Sequence, residues 1–249
     1  MTTPVVLITG ALTGIGRATA TTFAAAGAHI VVSGRHEEAG LALAEELRKL
    51  GGEAEFIRAD VRHDDDLKTL VDGTIERFGR LDIAVNNAGT EGEFSAITDL
   101  TPETYAATFD TNVLGTLLSM KHELLAMRAQ GSGAIVNVSS VFGERGYPNG
   151  ALYVASKHAV IGLTRSAALE AAAFGVRVNA VGPGPVQTEM LDRFIGRSDE
   201  TKSSFVATVP LGRAGDPDEI AEAIAFLSSD HAGFMTGQTV FLDGGLTAA

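Results

Sequence analysis

The chain has 249 residues, 45% of them hydrophobic and 20% charged, with 29 glycines, and one α/β domain of this length buries a sizeable core. It contains no cysteine, which excludes disulfides, thiolate metal sites and cysteine nucleophiles together, and its six histidines are scattered without metal-ligand spacing, so no metal is expected. A formal net charge of −12 lacks the basic footprint that nucleic acid requires, and without a bilayer-length apolar run or a secretory signal at "MTTPVVLITG" the chain is expected to be cytoplasmic, with no membrane partner.

In chain order, seven short β-branched runs alternate with longer segments of helical period. They are "VVLITG" (5–10), "HIVVSG" (29–34), "EAEFIRAD" (53–60), "LDIAVNNAG" (81–89), "GAIVNVSS" (133–140), "GVRVNAVGPG" (175–184) and "QTVFLDGG" (238–245). Near-continuous apolar strands alternating with amphipathic helices predict one α/β domain of Rossmann type over residues 1–249. Its core is a doubly wound parallel sheet of about seven strands, with helices on both faces. No linker, low-complexity tract or internal repeat divides the chain. The longest irregular region runs over 182–217, and a lid over the site is expected at about 185–215.

The first strand leads into "TGALTGIG", with Gly10, Gly14 and Gly16 ahead of the first helical segment. Glycines there permit a tight turn and close backbone approach, and the helix N-terminus presents N–H groups to a pyrophosphate. The second strand ends "IVVSGRHEE". Where NAD sites usually place an acid for the ribose 2′-OH, this chain has Gly34 and then Arg35, which leaves room for a 2′-phosphate and a guanidinium to pair with it. NADP(H) is therefore favoured over NAD(H). Glu37 and Glu38 suit the start of the next helix better than the ribose.

Further along, "GAIVNVSS" ends a strand at Ser139 and Ser140, on the sheet edge where ligands bind. Adjacent strand residues face opposite ways, so only one serine should face the site, and register alone does not choose between them. Thirteen residues after Ser140 comes "YVASK" (153–157). Of the three tyrosines, Tyr105 has Phe109 four residues on and Tyr147 has Ala151; only Tyr153 has a cation there, Lys157, on the same helical face. A neighbouring ammonium and an oxidised nicotinamide would lower a phenol pKa from roughly 10 towards neutrality.

"TGALTGIG", "NNAG" (86–89), Asn112 in "FDTNVLG", "NVSS" and "YVASK", in this order and spacing, closely resemble the short-chain dehydrogenase/reductase family, along essentially the whole chain. The resemblance implies that Ser140 rather than Ser139 is catalytic, beside Asn112, Tyr153 and Lys157. Tyr153 would be the general acid and base, Ser140 would hold the substrate oxygen, and Lys157 would bond the nicotinamide ribose and lower the Tyr153 pKa. Asn112 would anchor a water that links Lys157 to solvent. It further implies cofactor contacts from Thr13 and Ile15 beside the glycines, from Asp60 and Val61 at the adenine, and from Asn87, Ala88 and Gly89 along the channel. Pro183, Gly184, Val186 and Thr188 would contact the nicotinamide.

The segments "TEGEF", "VFGERGYPNGAL" and the lid around Met190 and Phe194 are expected to build the substrate pocket, with Glu91, Glu144, Tyr147 and Met190 as candidates. The motifs resemble bacterial carbonyl reductases and secondary-alcohol dehydrogenases of the family most closely. A 3-oxoacyl-(acyl-carrier-protein) reductase ranks second, because an acidic carrier needs basic residues at the site mouth and only Arg128 and scattered arginines offer them. Sugar and steroid dehydrogenases share the motifs, and a non-catalytic dinucleotide sensor would not need the complete catalytic set. Family resemblance also implies a homotetramer, with the "YVASK" helix packed at one interface.

Overall fold

The computed structural model describes residues 3–195 and 199–248. Seven strands form a single parallel sheet in the order β3-β2-β1-β4-β5-β6-β7: β1 (Val5–Thr9), β2 (His29–Gly34), β3 (Ala54–Arg58), β4 (Ile83–Asn86), β5 (Gly133–Val138), β6 (Val176–Pro183) and β7 (Thr239–Leu242). Each falls inside one of the seven β-branched runs. Helices α1 (Gly14–Ala25), α2 (Glu37–Arg48), α3 (Asp64–Phe78), α4 (Pro102–Phe109), α5 (Gly115–Gln130), α6 (Ala151–Ala171), α7 (Glu189–Ile195), α8 (Asp199–Val206) and α9 (Pro217–Ser228) complete the chain.

Strand β1 shows how the layers arise. All five of its residues are buried, and the period-2 geometry of a strand sends them to opposite faces. Val6 and Ile8 join the core that contains Phe23 of α1, Leu43 of α2 and Ile220 of α9. Leu7 joins the other core, with Leu67 of α3, Met120 of α5 and Ala168 of α6. Both α4 and α9 begin with proline behind a capping box, Thr101 with Thr104 and Asp216 with Glu219, which meets the unpaired N–H groups of a helix start.

The order of strands reverses at the β1/β4 boundary, where Thr9 pairs with Asn86. In open α/β sheets this switch point, at the carboxyl ends of the strands, is where a crevice opens. Beneath it, Asn86 and Asn137 sit in register on β4 and β5, and a buried network joins them. Asn86 Nδ2 donates to Glu123 Oε2 and to Asn137 Oδ1, both at 3.0 Å, and Asn137 Nδ2 donates to Thr164 Oγ1 at 2.9 Å.

The region expected to be irregular is not wholly so. It holds α7 and α8, and it is pinned at its base by a bridge between Val186 and Gly215. Short helices without a long apolar period escaped the sequence reading, and residues 196–198 of the expected lid lie outside the described residues.

Candidate active site

The loop after β1 is shaped by what cannot fit there. Gly10 and Gly14 have φ of +63° and +53°, a region that side chains rarely adopt. A Cβ on Gly10 would lie 2.7 Å from Ala88 Cα, and one on Gly16 would lie 2.4 Å from Asn87 Nδ2. Asn87 holds the turn from the β4 side by donating to the carbonyls of Thr9 (3.2 Å) and Gly10 (2.8 Å), and Ala88 N donates to Thr9 Oγ1. Thr13 is the N-cap residue of α1 but makes no capping hydrogen bond with its side chain. The first N–H groups of α1 are thus left to an anion. Thr188 approaches the same loop, since a Cβ on Gly14 would meet its Cγ2 at 3.0 Å. A backbone cradle of this kind fits a dinucleotide pyrophosphate.

Gly34, Arg35, Asp60 and Val61 gather at the corner formed by the ends of β2 and β3, where Ala59 N donates to Gly34 O. Arg58 Nε donates to Arg35 O at 3.3 Å, which brings two arginines to one place. Asp60 is paired with Arg62, whose hydrogen bonds hold its carboxyl down at about 2; Arg35 adds to the effect. Val61 is buried against Gly115. Glu37 and Glu38 lie in the first turn of α2.

Across the crevice, α6 delivers Tyr153 and Lys157. The Ser140 hydroxyl sits beside the Tyr153 phenol, where it favours the ionised form, and Ser140 Oγ accepts from Phe142 N at 3.2 Å. Ser139 points the other way and donates to Lys157 O at 3.0 Å. Tertiary contact thus separates the two serines, as strand alternation alone could not. Lys157 Nζ donates to Val138 O at 3.0 Å and lies 5.6 Å from the Tyr153 ring centroid. Asn112 sits in a π-helical segment, Asp110–Leu114, that links α4 to α5. Its side chain accepts from Thr90 N and donates to Thr90 O and Ser156 Oγ. A Cβ on Gly89 would lie 3.4 Å from Asn112 Oδ1 and 3.5 Å from Lys157 Nζ, so these three groups converge.

The chain's own electrostatics hold both groups of the pair towards their neutral forms. Burial pushes the Tyr153 phenol up to about 12; the Ser140 hydroxyl opposes this and the Glu91 charge adds to it. Burial also pushes the Lys157 ammonium down to about 8. Lys157 by itself therefore does not bring the phenol towards neutrality. Desolvation disfavours both charged forms, and a lowered phenol pKa requires a further positive charge at the site.

A cavity of about 480 Å³ opens in front of Tyr153, within the usual range for a small-molecule site. Its near wall holds Ile15, Asn87, Gly89, Pro183, Gly184 and Val186. Its far wall is aromatic, with Phe94, Phe142, Tyr147, Phe194 and Phe205. Of the four substrate candidates, Glu91, Tyr147 and Met190 line the cavity. Glu144 does not: the turn Val141–Gly143 tucks Val141 inward and leaves the Glu144 side chain in solvent, which corrects that expectation. The sequence reading did not single out Phe142, Phe205 or Leu246 by residue. Phe142 and Phe205 lay inside segments expected to form the pocket or its lid, but nothing local in the sequence marks Leu246. Arg128 is in the last turn of α5, before β5 begins, at the opposite end of the strands from the cavity, and it stacks on Phe174 at 4.3 Å.

A family model described as enoyl-(acyl carrier protein) reductase matches residues 10–247. An uncharacterized oxidoreductase of Thermotoga maritima is 43% identical over 98% of this chain and 97% of its own. A cyclohexanol dehydrogenase of an Acinetobacter strain is 40% identical over 98% and 95%, and a 3-oxoacyl-(acyl-carrier-protein) reductase of Staphylococcus aureus is 40% identical over 96% of each. Among solved structures, levodione reductase superposes with a TM-score of 0.96 at 37% identity, covering 99% of this chain and 98% of that one. An actinorhodin polyketide ketoreductase with NADPH does so with a TM-score of 0.94 at 36% identity, with the same coverage.

Proposed function

Because the chain belongs to the short-chain dehydrogenase/reductase family, we propose that it transfers a hydride between NADP(H) and a ketone or secondary alcohol, with Tyr153 as general acid and base. The observation that carries this reading is the Tyr153–Ser140 hydroxyl pair, with Lys157 alongside, facing a cavity whose near wall includes Ile15 and Asn87, the residues that adjoin the glycine cradle.

The bound nicotinamide dinucleotide would supply or accept the hydride at the carbonyl carbon. Gly10, Gly14, Gly16, Thr13 and Ile15 would hold its pyrophosphate, Asp60 and Val61 would meet the adenine, and Val186 and Thr188 would meet the nicotinamide. Ser140 would donate a hydrogen bond to the substrate oxygen, and Tyr153 would give that oxygen its proton. A phenol pushed up to about 12 keeps its proton at neutral pH, the state that carbonyl reduction requires. Alcohol oxidation requires the phenolate, which the positive charge of the oxidised cofactor would favour. Lys157, hydrogen-bonded to Val138 O, is positioned for the ribose, and Asn112 fixes the Thr90 loop beside it. NADP is preferred over NAD because β2 ends in Gly34 rather than an acid and Arg35 lies next to Arg58; the polyketide ketoreductase with NADPH is consistent with that choice.

Two observations favour a second reading, a 3-oxoacyl-(acyl-carrier-protein) reductase: the description of the matching family model and the Staphylococcus aureus relative. Against it, Arg128 is remote from the cavity, and among the described residues the arginines at the mouth, Arg145 and Arg193, are engaged within the chain. Exposed Tyr105, Leu125 and Leu169 on α4, α5 and α6 suit the proposed homotetramer. The deciding experiment follows cofactor absorbance with NADPH and NADH against aliphatic, cyclic and aryl ketones, a 3-oxoester and a 3-oxoacyl thioester. Faster NADPH oxidation on simple ketones is expected. Turnover confined to the thioester would move the assignment to the second reading, and a preference for NADH would overturn the role of Arg35.

A further inference from the structure

Among the described residues, three charged side chains line the cavity, and each is hydrogen-bonded to another part of the chain. Lys157 is buried and bonded to Val138 O. Arg145 turns its guanidinium to the carbonyl of Leu246. Glu91, the one carboxylate in the wall among the described residues, is gripped by Arg193 of α7, with Nε at 2.6 Å and Nη2 at 3.2 Å. That is the forked geometry by which a guanidinium recognises a carboxylate. The Glu91 side chain is 16% exposed and that of Arg193 56%, so the pair reaches from the cavity wall to its rim. The remaining far wall is made of rings in mutual contact: Phe94 and Phe194 at 4.6 Å between centroids, Phe142 and Tyr147 at 4.8 Å, and Tyr147 and Phe194 at 5.6 Å.

Resting on the ketone-reductase reading of this same site, we propose that the Glu91–Arg193 pair sets the substrate class. Because Arg193 is satisfied from within the chain, the site takes neutral ketones carried on an apolar ring and refuses those that carry a carboxylate. A neutral ring gives up only apolar hydration when it enters the aromatic box. A carboxylate would have to shed its water beside the Glu91 anion, whose Arg193 partner is already engaged. The pair also shows how the preference can be inverted. Glu91→Ala removes the anion and leaves the Arg193 fork facing the vacated volume, where a carboxylate carried by the substrate can take the place of the lost side chain. Glu91 acts here as a positioning residue for charge, through Arg193.

The test compares kcat/KM with NADPH for 4-methylcyclohexanone and 4-oxocyclohexanecarboxylate. The wild type is expected to favour the neutral ketone by at least tenfold. Glu91→Ala should move that ratio at least tenfold towards the carboxylate, chiefly through KM, and Glu91→Asp should restore the original preference. Glu91→Ala combined with Arg193→Ala should lose the gain. Glu91→Gln keeps the side chain's volume and guards against a variant that fails to fold: it should still turn over the neutral ketone, with discrimination reduced. A ratio unchanged within twofold in a folded Glu91→Ala protein, or a gain that survives removal of Arg193, overturns the proposal. Calorimetric binding of cyclohexanecarboxylate separates this proposal from the reading beneath it. Tenfold tighter binding by Glu91→Ala than by wild type supports the role of the pair even if neither ketone is reduced, an outcome that sinks only the reductase reading. Equal affinities overturn the role of the pair even if turnover is normal.

Discussion

The two sides of the crevice are built from different material. The cradle after β1 is backbone: its form comes from Gly10 and Gly14 at positive φ and from Gly16, where a Cβ would collide with Asn87. The cavity on the other side is almost entirely side chain, contributed by the loop after β4, the turn after β5, the start of α6, α7, α8 and the C-terminal segment. A backbone surface recognises what every dinucleotide has in common, its pyrophosphate, and does so with N–H groups that no substitution except at the glycines can alter. A side-chain surface can be changed one residue at a time without disturbing the sheet. Chemistry and cofactor are accordingly separable from substrate choice.

The largest expected effect tests whether one side chain carries the chemistry. Tyr153→Phe should lower kcat by roughly 10² to 10⁴, the usual contribution of a positioned proton donor. Cofactor affinity, measured by fluorescence titration, should stay within about twofold. Near-normal turnover in this variant would remove Tyr153 from its role.

A second test addresses what joins the two sides. Glu123 is 1% exposed, and burial pushes its carboxyl up to about 7, against the Asn86 hydrogen bond. Between the unfolded value, about 4.3, and about 7, the folded chain binds the proton that the unfolded chain has released. This contribution is therefore complete below the lower limit, is lost as pH rises through the window and is flat above it. It amounts to about 4 kcal/mol across the window. Glu123→Gln keeps an acceptor for Asn86 and should remove that slope from urea unfolding measured between pH 5 and 8. A parallel slope in both proteins would show that Glu123 is not the group responsible.

The smallest effect is at the edge of the cradle. Arg35→Leu should weaken NADPH binding by about tenfold, since an exposed charge-assisted contact is partly screened, and should leave NADH binding unchanged. Adding Gly34→Asp should turn the preference towards NADH. Equal losses for both cofactors would mean that Arg35 does not distinguish them.

What could be read without the fold follows the same division. Strict geometric demands leave fixed residues at fixed spacing: the glycines after β1, "NNAG" after β4, and the four-residue step from Tyr153 to Lys157 on one helical turn. Buried parallel strands likewise announce themselves as β-branched runs, and all seven lie inside the segments expected for them. Ser139 and Ser140 mark the limit. Alternation along β5 says that they face opposite ways, but only α6 packed against that strand sends one hydroxyl to Lys157 O and the other to Tyr153.

By itself, then, the sequence determined the sheet, the nucleotide cradle and the set of residues around Tyr153, because each depends on local backbone geometry or on short-range periodicity. Tertiary structure alone decided that Glu144 faces solvent while Phe142, two residues earlier, faces the cavity, that Leu246 closes the wall from the far end of the chain, and that Glu91 meets Arg193 across a separation of 102 residues. It also decided the proton affinities, pushing the Tyr153 phenol up and the Lys157 ammonium down. Burial and long-range pairing depend on where distant segments come to rest, and a charge responds to the whole of its surroundings rather than to its neighbours in the chain.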